Sequence, residues 1–310
     1  MNGEVVAALE GIRSWRARRR REAYDELVDL LVMQGTRAPE AIPAAGGLIE
    51  VVADTGQADR SAACQVLSMI AIGDEEYWLT EAVDIGALRA EVARQAGLSV
   101  EDLEREQEAW VEAAGDEEER AAREHRALFA DVEEDREQLA VDLAAYDAVR
   151  AGVPVYLEAL TGPETAVRLY AAHLLSWFPE ESARIVPALT RVIAGDPDPI
   201  VAATACVAAA LCAPRRGEPD RALVAALATR LDSENLAERW SALIGSAIAG
   251  APVDTEELAR CRDEAAGRVP HWPFLDGDIG AMAGLAYDAV ISRQSDSSRS
   301  SSVTSAGDSP

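Results

Sequence analysis

Apolar positions recur at three- and four-residue steps, the period of helices, and proline, glycine and aspartate cut these runs at near-regular intervals. Between Ser14 and Met33, the residues Ala23, Leu27, Leu30 and Leu31 make one stripe, so residues 4–33 are predicted as one or two amphipathic helices. Residues 42–72 read as a helical hairpin: a helix opening near Pro43, a break, then a second helix of small apolar residues through Ala62, Ala63, Cys64, Val66 and Leu67. The same order of parts returns in Val153–Leu175 and Ile185–Leu211, and more weakly in Leu223–Ala247. Val167 and Val201 stand 34 residues apart, and Val201 and Ala237 stand 36 apart. A period of that size marks stacked helical hairpins, in which no unit buries its apolar face alone.

Elsewhere the period breaks. Ile85–Gly97 gives a short helix, and Ser99 with Asp102 three residues on reads as an acidic capping box opening another. Charge dominates from Glu101 to Asp147, yet Leu128, Val132, Leu139, Leu143, Tyr146 and Val149 keep a one-sided stripe. Residues 101–150 are therefore predicted as a charged helical insertion that leans on the stack by one narrow face. Asp198 and Pro199 cap and open the helix after the break at 196–199, and 213–219 is a surface loop. A helix over 255–267, an aromatic turn over Pro270–Asp278 and a last helix over Ile279–Ser292 follow, and the Ser-rich tail 293–310 is predicted to be disordered. The domain reading is 1–100 for N-terminal helices and the first hairpin, 101–150 for the insertion, 151–292 for the regular array and 293–310 for the tail.

Composition sharpens this picture. Hydrophobic residues make up 49% of the chain and aromatics 5%, so the core is built from Ala, Leu and Val, and the β-rich runs of a parallel sheet are missing. The class is all-α. All 29 basic residues are arginine, against 55 acids, for a net charge of −26. The excess of Arg and Ala over Lys is what a GC-rich coding sequence produces. A surface this acidic repels phosphate backbones, so nucleic acid is not the expected partner. Cys64, Cys206, Cys212 and Cys261 lack metal-ligand spacing and read as buried thiols. With no export signal or apolar span in the sequence, a cytoplasmic location and no membrane partner are expected.

The repeat units resemble HEAT repeats, in the loose bacterial form grouped with the phycobilisome-lyase HEAT-like repeats. The residues that carry the resemblance are Val167-Arg168 after Gly162-Pro163, and Asp196 to Val201 with the Ala/Leu helices behind them. Tyr24 to Thr36 with Ile42-Pro-Ala44, Ala148 to Pro154, and Ala171 to Pro179 are similar to actinobacterial HEAT-repeat proteins. The resemblance covers about residues 20–72 and 140–250. It implies a right-handed α-solenoid of HEAT-like hairpins with a binding or scaffolding role, and brings no catalytic residue with it. Val201-Ala202 departs from the usual Val-Arg, which leaves an arginine ladder incomplete there.

Candidate chemistry is sparse. His125, His173 and His271 are far apart, and a packed structural role is the expectation for His173, four residues before Trp177. Asp276 and Asp278 beside His271 and Trp272 form a weak candidate for Mg²⁺ or Ca²⁺, but a capping role explains Asp278 and two carboxylates are few ligands. The run Arg13–Arg21 reads either as an anion-contacting patch or as a solvated face paired with neighbouring acids. No cofactor is implied. The expected function is a non-catalytic adaptor, monomeric or weakly self-associating. It would bind a protein with a basic surface along a concave groove, with Arg168, Tyr170, His173, Trp177, Arg239 and Trp240 as contacts. The alternative is a HEAT-like enzyme or DNA-lesion binder, resembling alkylpurine glycosylases or bilin lyases, with Arg13–Arg21, Arg168, Arg239 and Arg262 converging on one face.

Overall fold

Helices begin where the sequence places a short polar side chain ahead of an apolar run. Asp74, Asp84, Asp116, Asp131, Asp198, Asp220, Asn235 and Asp254 each accept a backbone N–H of the turn that follows, and Ser99 with Asp102 forms the reciprocal capping box. The computed structural model describes residues 2–81, 83–214, 218–265 and 269–304, with side chains to Gln294. Among these the protein is all-α and solenoid-like. The exception is a two-residue hairpin, β1 (Val32–Met33) with β2 (Thr36–Arg37), which the sequence reading passed over. Gln34 and Gly35 turn it with positive φ at both central positions, as a tight hairpin requires.

Six hairpins make the stack. They are α1 (Gly3–Gly11) with α2 (Ala17–Leu31), α3 (Ala41–Ala53) with α4 (Arg60–Ile72), and, after an excursion, α10 (Val153–Ala159) with α11 (Thr165–Leu175). Then come α12 (Ser182–Gly195) with α13 (Pro199–Cys212), α14 (Arg221–Ala228) with α15 (Leu236–Ile248), and α16 (Thr255–Glu264) with α17 (Ile279–Thr304). The second helices pack in succession, α2 on α4, α4 on α11, α11 on α13, α13 on α15 and α15 on α17. Small residues make this possible. The Ala- and Cys-rich α13 is buried almost all round, and a Cβ at Gly245 of α15 would stand 2.7 Å from the Cys206 carbonyl oxygen.

Arginines tie the loops of successive hairpins. Arg60 donates to the Val52 carbonyl at 2.9 Å and to Glu164 at 2.9 Å in the next unit. Arg168 holds Asp196 through two hydrogen bonds of 2.7 and 3.1 Å. At Ala202, where the ladder lacks its arginine, Arg230 reaches back from the following unit to the Ile193 carbonyl at 2.7 Å and to Glu238 at 3.1 Å.

The excursion between α4 and α10 comprises α5 (Glu75–Thr80), α6 (Ile85–Gln95), α7 (Val100–Glu112), α8 (Glu117–Phe129) and α9 (Val132–Arg150). Residues 101–150 do not behave as one unit. The second half of α9 buries Ala145, Tyr146 and Val149 completely, and α9 packs on α3, α4 and α6. It is fixed by an ion network in which Arg89 meets Asp147 at 2.6 Å and Glu180 at 3.2 Å, while Arg150 meets Asp147 and Glu181. The Arg89 hydrogen bonds hold the Asp147 carboxyl below its ordinary range. The network therefore stabilises the fold above that range and loses its effect as pH falls through the lowered value.

By contrast α8 buries no residue and packs on α7, which in turn touches α9. Leu128, expected on the packed stripe, is 76% exposed, because the helix break at Ala130 and Asp131 separates it from the α9 stripe; Leu143 is half-buried. At the other end, α17 runs past Arg293, where the disordered tail was expected to begin, and continues to Thr304. Residues 305–310 of that tail, 266–267 of the helix expected over 255–267, and 215–217 of the 213–219 loop lie outside the described residues.

Leu128→Ala should alter stability by no more than about 0.5 kcal/mol. Tyr146→Ala, on the buried part of the same sequence stripe, should cost about 3–5 kcal/mol, as for other buried aromatics. Urea unfolding followed by circular dichroism measures both. A chain lacking residues 101–130 should keep a cooperative transition, since α7 and α8 carry little of the core.

Candidate functional site

The face of the stack formed by the second helices is where a repeat protein would meet a partner, and α11 supplies its centre. There the structure has already placed the chain's own aromatic side chains. Trp177 and His173 lie edge-to-face with ring centroids 5.5 Å apart, and Phe274 from the C-terminal segment stands 4.8 Å from His173 and 6.2 Å from Trp177. Trp272 lies behind Phe274 at 5.3 Å, and Trp78 of α5 meets both Trp177 and Tyr146. Tyr146, Phe178 and Tyr156 continue the same cluster into the core.

One carboxylate organises this junction. Glu75, in the first turn of α5, accepts from His173 Nε2 at 3.0 Å with one oxygen and from the Leu275 backbone N–H at 3.1 Å with the other. His173 Nδ1 stands 3.5 Å from Ser68 Oγ of α4, so the tautomer that donates to Glu75 leaves Nδ1 as the acceptor. The order serine–histidine–carboxylate matches that of a hydrolase relay. Here Ser68 and His173 are both buried, and Phe274 covers the imidazole. Ser68 lies inside α4, 4% exposed. The arrangement is a packed hydrogen-bond chain.

Three of the expected contact residues are therefore largely withdrawn from the surface. Arg168, His173 and Trp177 are buried, the first by its bonds to Asp196 and the Gly162 and Pro163 carbonyls, the others by the aromatic cluster. Arg168 and His173 lie on α11 and Trp177 just past its end; Phe274, Trp78 and Glu75, which enclose His173 and Trp177, come from about a hundred positions away, whereas Asp196 stands 28 residues from Arg168. Tyr170 and Trp240 are half-buried against the core, and Arg239 donates to the Ser233 carbonyl at 2.9 Å.

Four arginines of the run are paired, Arg13 with Glu50, Arg18 with Glu22, Arg19 with Glu26 and Arg20 with Asp59, and Arg16 lies over the Trp15 ring. Arg262 pairs with Asp263 and stacks over Tyr287. Each of these cations is engaged locally.

Beside the junction lies an acidic cleft of about 550 Å³ between α5 and the start of α17, lined by Asp74, Glu75, Glu76, Asp276 and Asp278 with no arginine. The turn that shapes it is strained, with His271, Leu275 and Asp276 all at positive φ. Asp278 caps α17, accepting from Ala281 N at 2.8 Å, and Asp74 caps α5. Among the described residues no group of three or more His, Cys, Asp or Glu is placed to hold a metal ion, at Asp276 and Asp278 or elsewhere. Sequence reasoning missed Glu75 and Ser68. The only signal for Glu75 was the acidic break at Gly73–Glu76.

All four cysteines are buried, and burial pushes the thiols of Cys64, Cys206, Cys212 and Cys261 up to about 12. None is poised as a nucleophile.

No family model matches the chain, and no curated protein matches it. Among solved structures, two crystal structures of engineered proteins from the Northeast Structural Genomics Consortium are similar to it. One has a TM-score of 0.45 at 16% identity, covering 94% of this chain and 98% of that chain. The other has a TM-score of 0.30 at 16% identity, covering 94% and 82%. The architecture rests on the helix packing described above.

Two outcomes follow from the burial. Arg168→Ala should cost about 3–5 kcal/mol in denaturant unfolding, because it leaves the Asp196 carboxylate buried without its partner. In native protein near neutral pH, an aromatic disulfide reagent should find the thiols almost unreactive over minutes, and four should titrate after unfolding.

Proposed function

We propose that this protein is a non-catalytic scaffold that binds another protein with a basic surface, and that the acidic cleft between α5 and the start of α17 is its entry point. The observation that carries the reading is the cleft's lining: five carboxylates and no arginine, in a chain of net charge −26. Clefts of one sign concentrate field and speed the arrival of opposite charge. Two of the carboxylates cap helices and Glu75 holds the His173 junction, so the cleft is rigid before a partner arrives. Tyr77, 58% exposed and adjacent to Glu76, offers an aromatic anchor at its rim.

The contact surface thus moves from the centre of α11, which the chain fills itself, to the edge of the filling. The enzyme and DNA-lesion alternatives find no support in the arginines, which are engaged locally, nor in the buried Ser68–His173–Glu75 chain.

The test begins with capture from a native lysate using the full chain as bait, followed by affinity measurement on the identified partner at about 50 and about 300 mM salt. Glu76→Gln with Asp276→Asn should weaken binding several-fold at low salt. The difference should shrink at high salt, where screening shortens to well under about 10 Å. A partner that binds both forms equally at low salt would remove the cleft from the interface.

A further inference from the structure

We infer that the hairpin of α7 and α8 is a second, separate docking arm, and that it takes a basic amphipathic helix of about four turns. The inference goes beyond the cleft and uses none of its residues. Its first ground is what α8 lacks. A helix of 13 residues is marginal in water without packing, yet α8 buries no side chain and rests on α7 alone among its main neighbours. Its apolar residues are nevertheless arranged on one face. Ala121, His125, Leu128 and Phe129 follow helical spacing, with the His125 and Phe129 rings 5.1 Å apart. Leu128 and Phe129 are each 76% exposed, as large apolar side chains rarely are side by side in a chain this short of aromatics.

The second ground is charge. Residues 100–130 carry eleven acids against four arginines. Between the two helices runs a groove of about 490 Å³ whose apolar lining includes Val111, Ala127 and Leu128. Its walls include Glu108, Glu112 and Glu124, opposed only by Arg120. An apolar lining with acidic walls matches a helix that presents Leu or Met at i, i+3, i+4 and i+7 and Lys or Arg on both flanks. At 1.5 Å per residue, α8 offers a seat about 20 Å long, which sets the four turns. A third helix laid there would complete a three-helix unit and cover Leu128, where the groove meets the exposed stripe.

The experiment uses the full chain and a fluorescent 16-residue probe of Leu and Lys, with Leu at i, i+3, i+4 and i+7 spacing. The comparison peptides are the Leu/Glu counterpart and a Leu/Lys peptide of the same composition in alternating order. Polarisation titrations are expected to show binding of the first peptide alone, weakened at least tenfold by Leu128→Ser with Phe129→Ser. Glu108→Gln with Glu112→Gln and Glu124→Gln should weaken it and flatten its salt dependence. Trp15→Ser, at another exposed apolar residue, and the cleft pair Glu76→Gln with Asp276→Asn should leave it unchanged, so a failure of the cleft and a failure of the arm are read separately. Because Leu128 and Phe129 are exposed, circular dichroism should report the same fold in that variant. Equal binding to the Ser variant, equal binding of the alternating peptide, or no binding of the probe would overturn the inference. So would sedimentation showing self-association that the Ser variant abolishes, which would give the face to a second copy.

Discussion

The structure turns on one aromatic junction. Aromatic residues are 5% of the chain, yet Trp78, Tyr146, Tyr156, Trp177, Phe178, Trp272 and Phe274 form a single cluster with His173 at its edge. They come from α5, α9, α10, the end of α11 and the segment before α17, so the cluster joins the excursion, the middle of the stack and its C-terminal end. Each aromatic pair adds about 0.5–1.5 kcal/mol beyond the area it buries. Glu75 sets the register of the junction, since its two oxygens bind His173 and Leu275, residues that only the fold makes neighbours. A regular solenoid is held by nearest-neighbour contacts; this one also has a long-range clasp.

Around that clasp the array is assembled from small residues and arginines, and the two solve different problems. Ala, Gly and Cys let the second helices approach until Gly245 of α15 faces the Cys206 carbonyl with no room for a Cβ. That close approach leaves the polar loop ends of each hairpin to be satisfied; Arg60 and Arg168 do this by bonding carbonyls of their own hairpin and a carboxylate of the next, and Arg230 by bonding a carbonyl of the preceding one. A guanidinium suits the task because its planar donors reach two acceptors at once and stay charged when largely buried.

The same logic explains how so acidic a chain folds. Arginines are spent on structural pairing at the loops, in the network that joins α6 and α9 to Glu180 and Glu181, and along α2, which leaves acids in excess on α5, α7, α8 and the start of α17. Among the described residues, acids outnumber cations in the lining of the cleft and along the arm, and in the arm exposed apolar side chains lie beside them.

The sequence by itself determined the local features: the all-α class, the hairpin order of the array, the cap residues, the capping box at Ser99 and Asp102, the buried character of the cysteines and the capping role of Asp278. These follow from helical periodicity and from side chains that bond backbone groups two or three positions away, so the pattern is complete within one turn of chain. Tertiary structure alone decided the rest. A single apolar stripe drawn through Leu128, Leu143 and Tyr146 proved to be three environments, because a helix break changes which face meets the body. Arg168, His173 and Trp177 had the composition of an interface, but Phe274, 101 residues beyond His173, and Asp196, 28 residues beyond Arg168, turned them inward. Burial depends on what arrives from elsewhere in the chain, and periodicity carries no record of it.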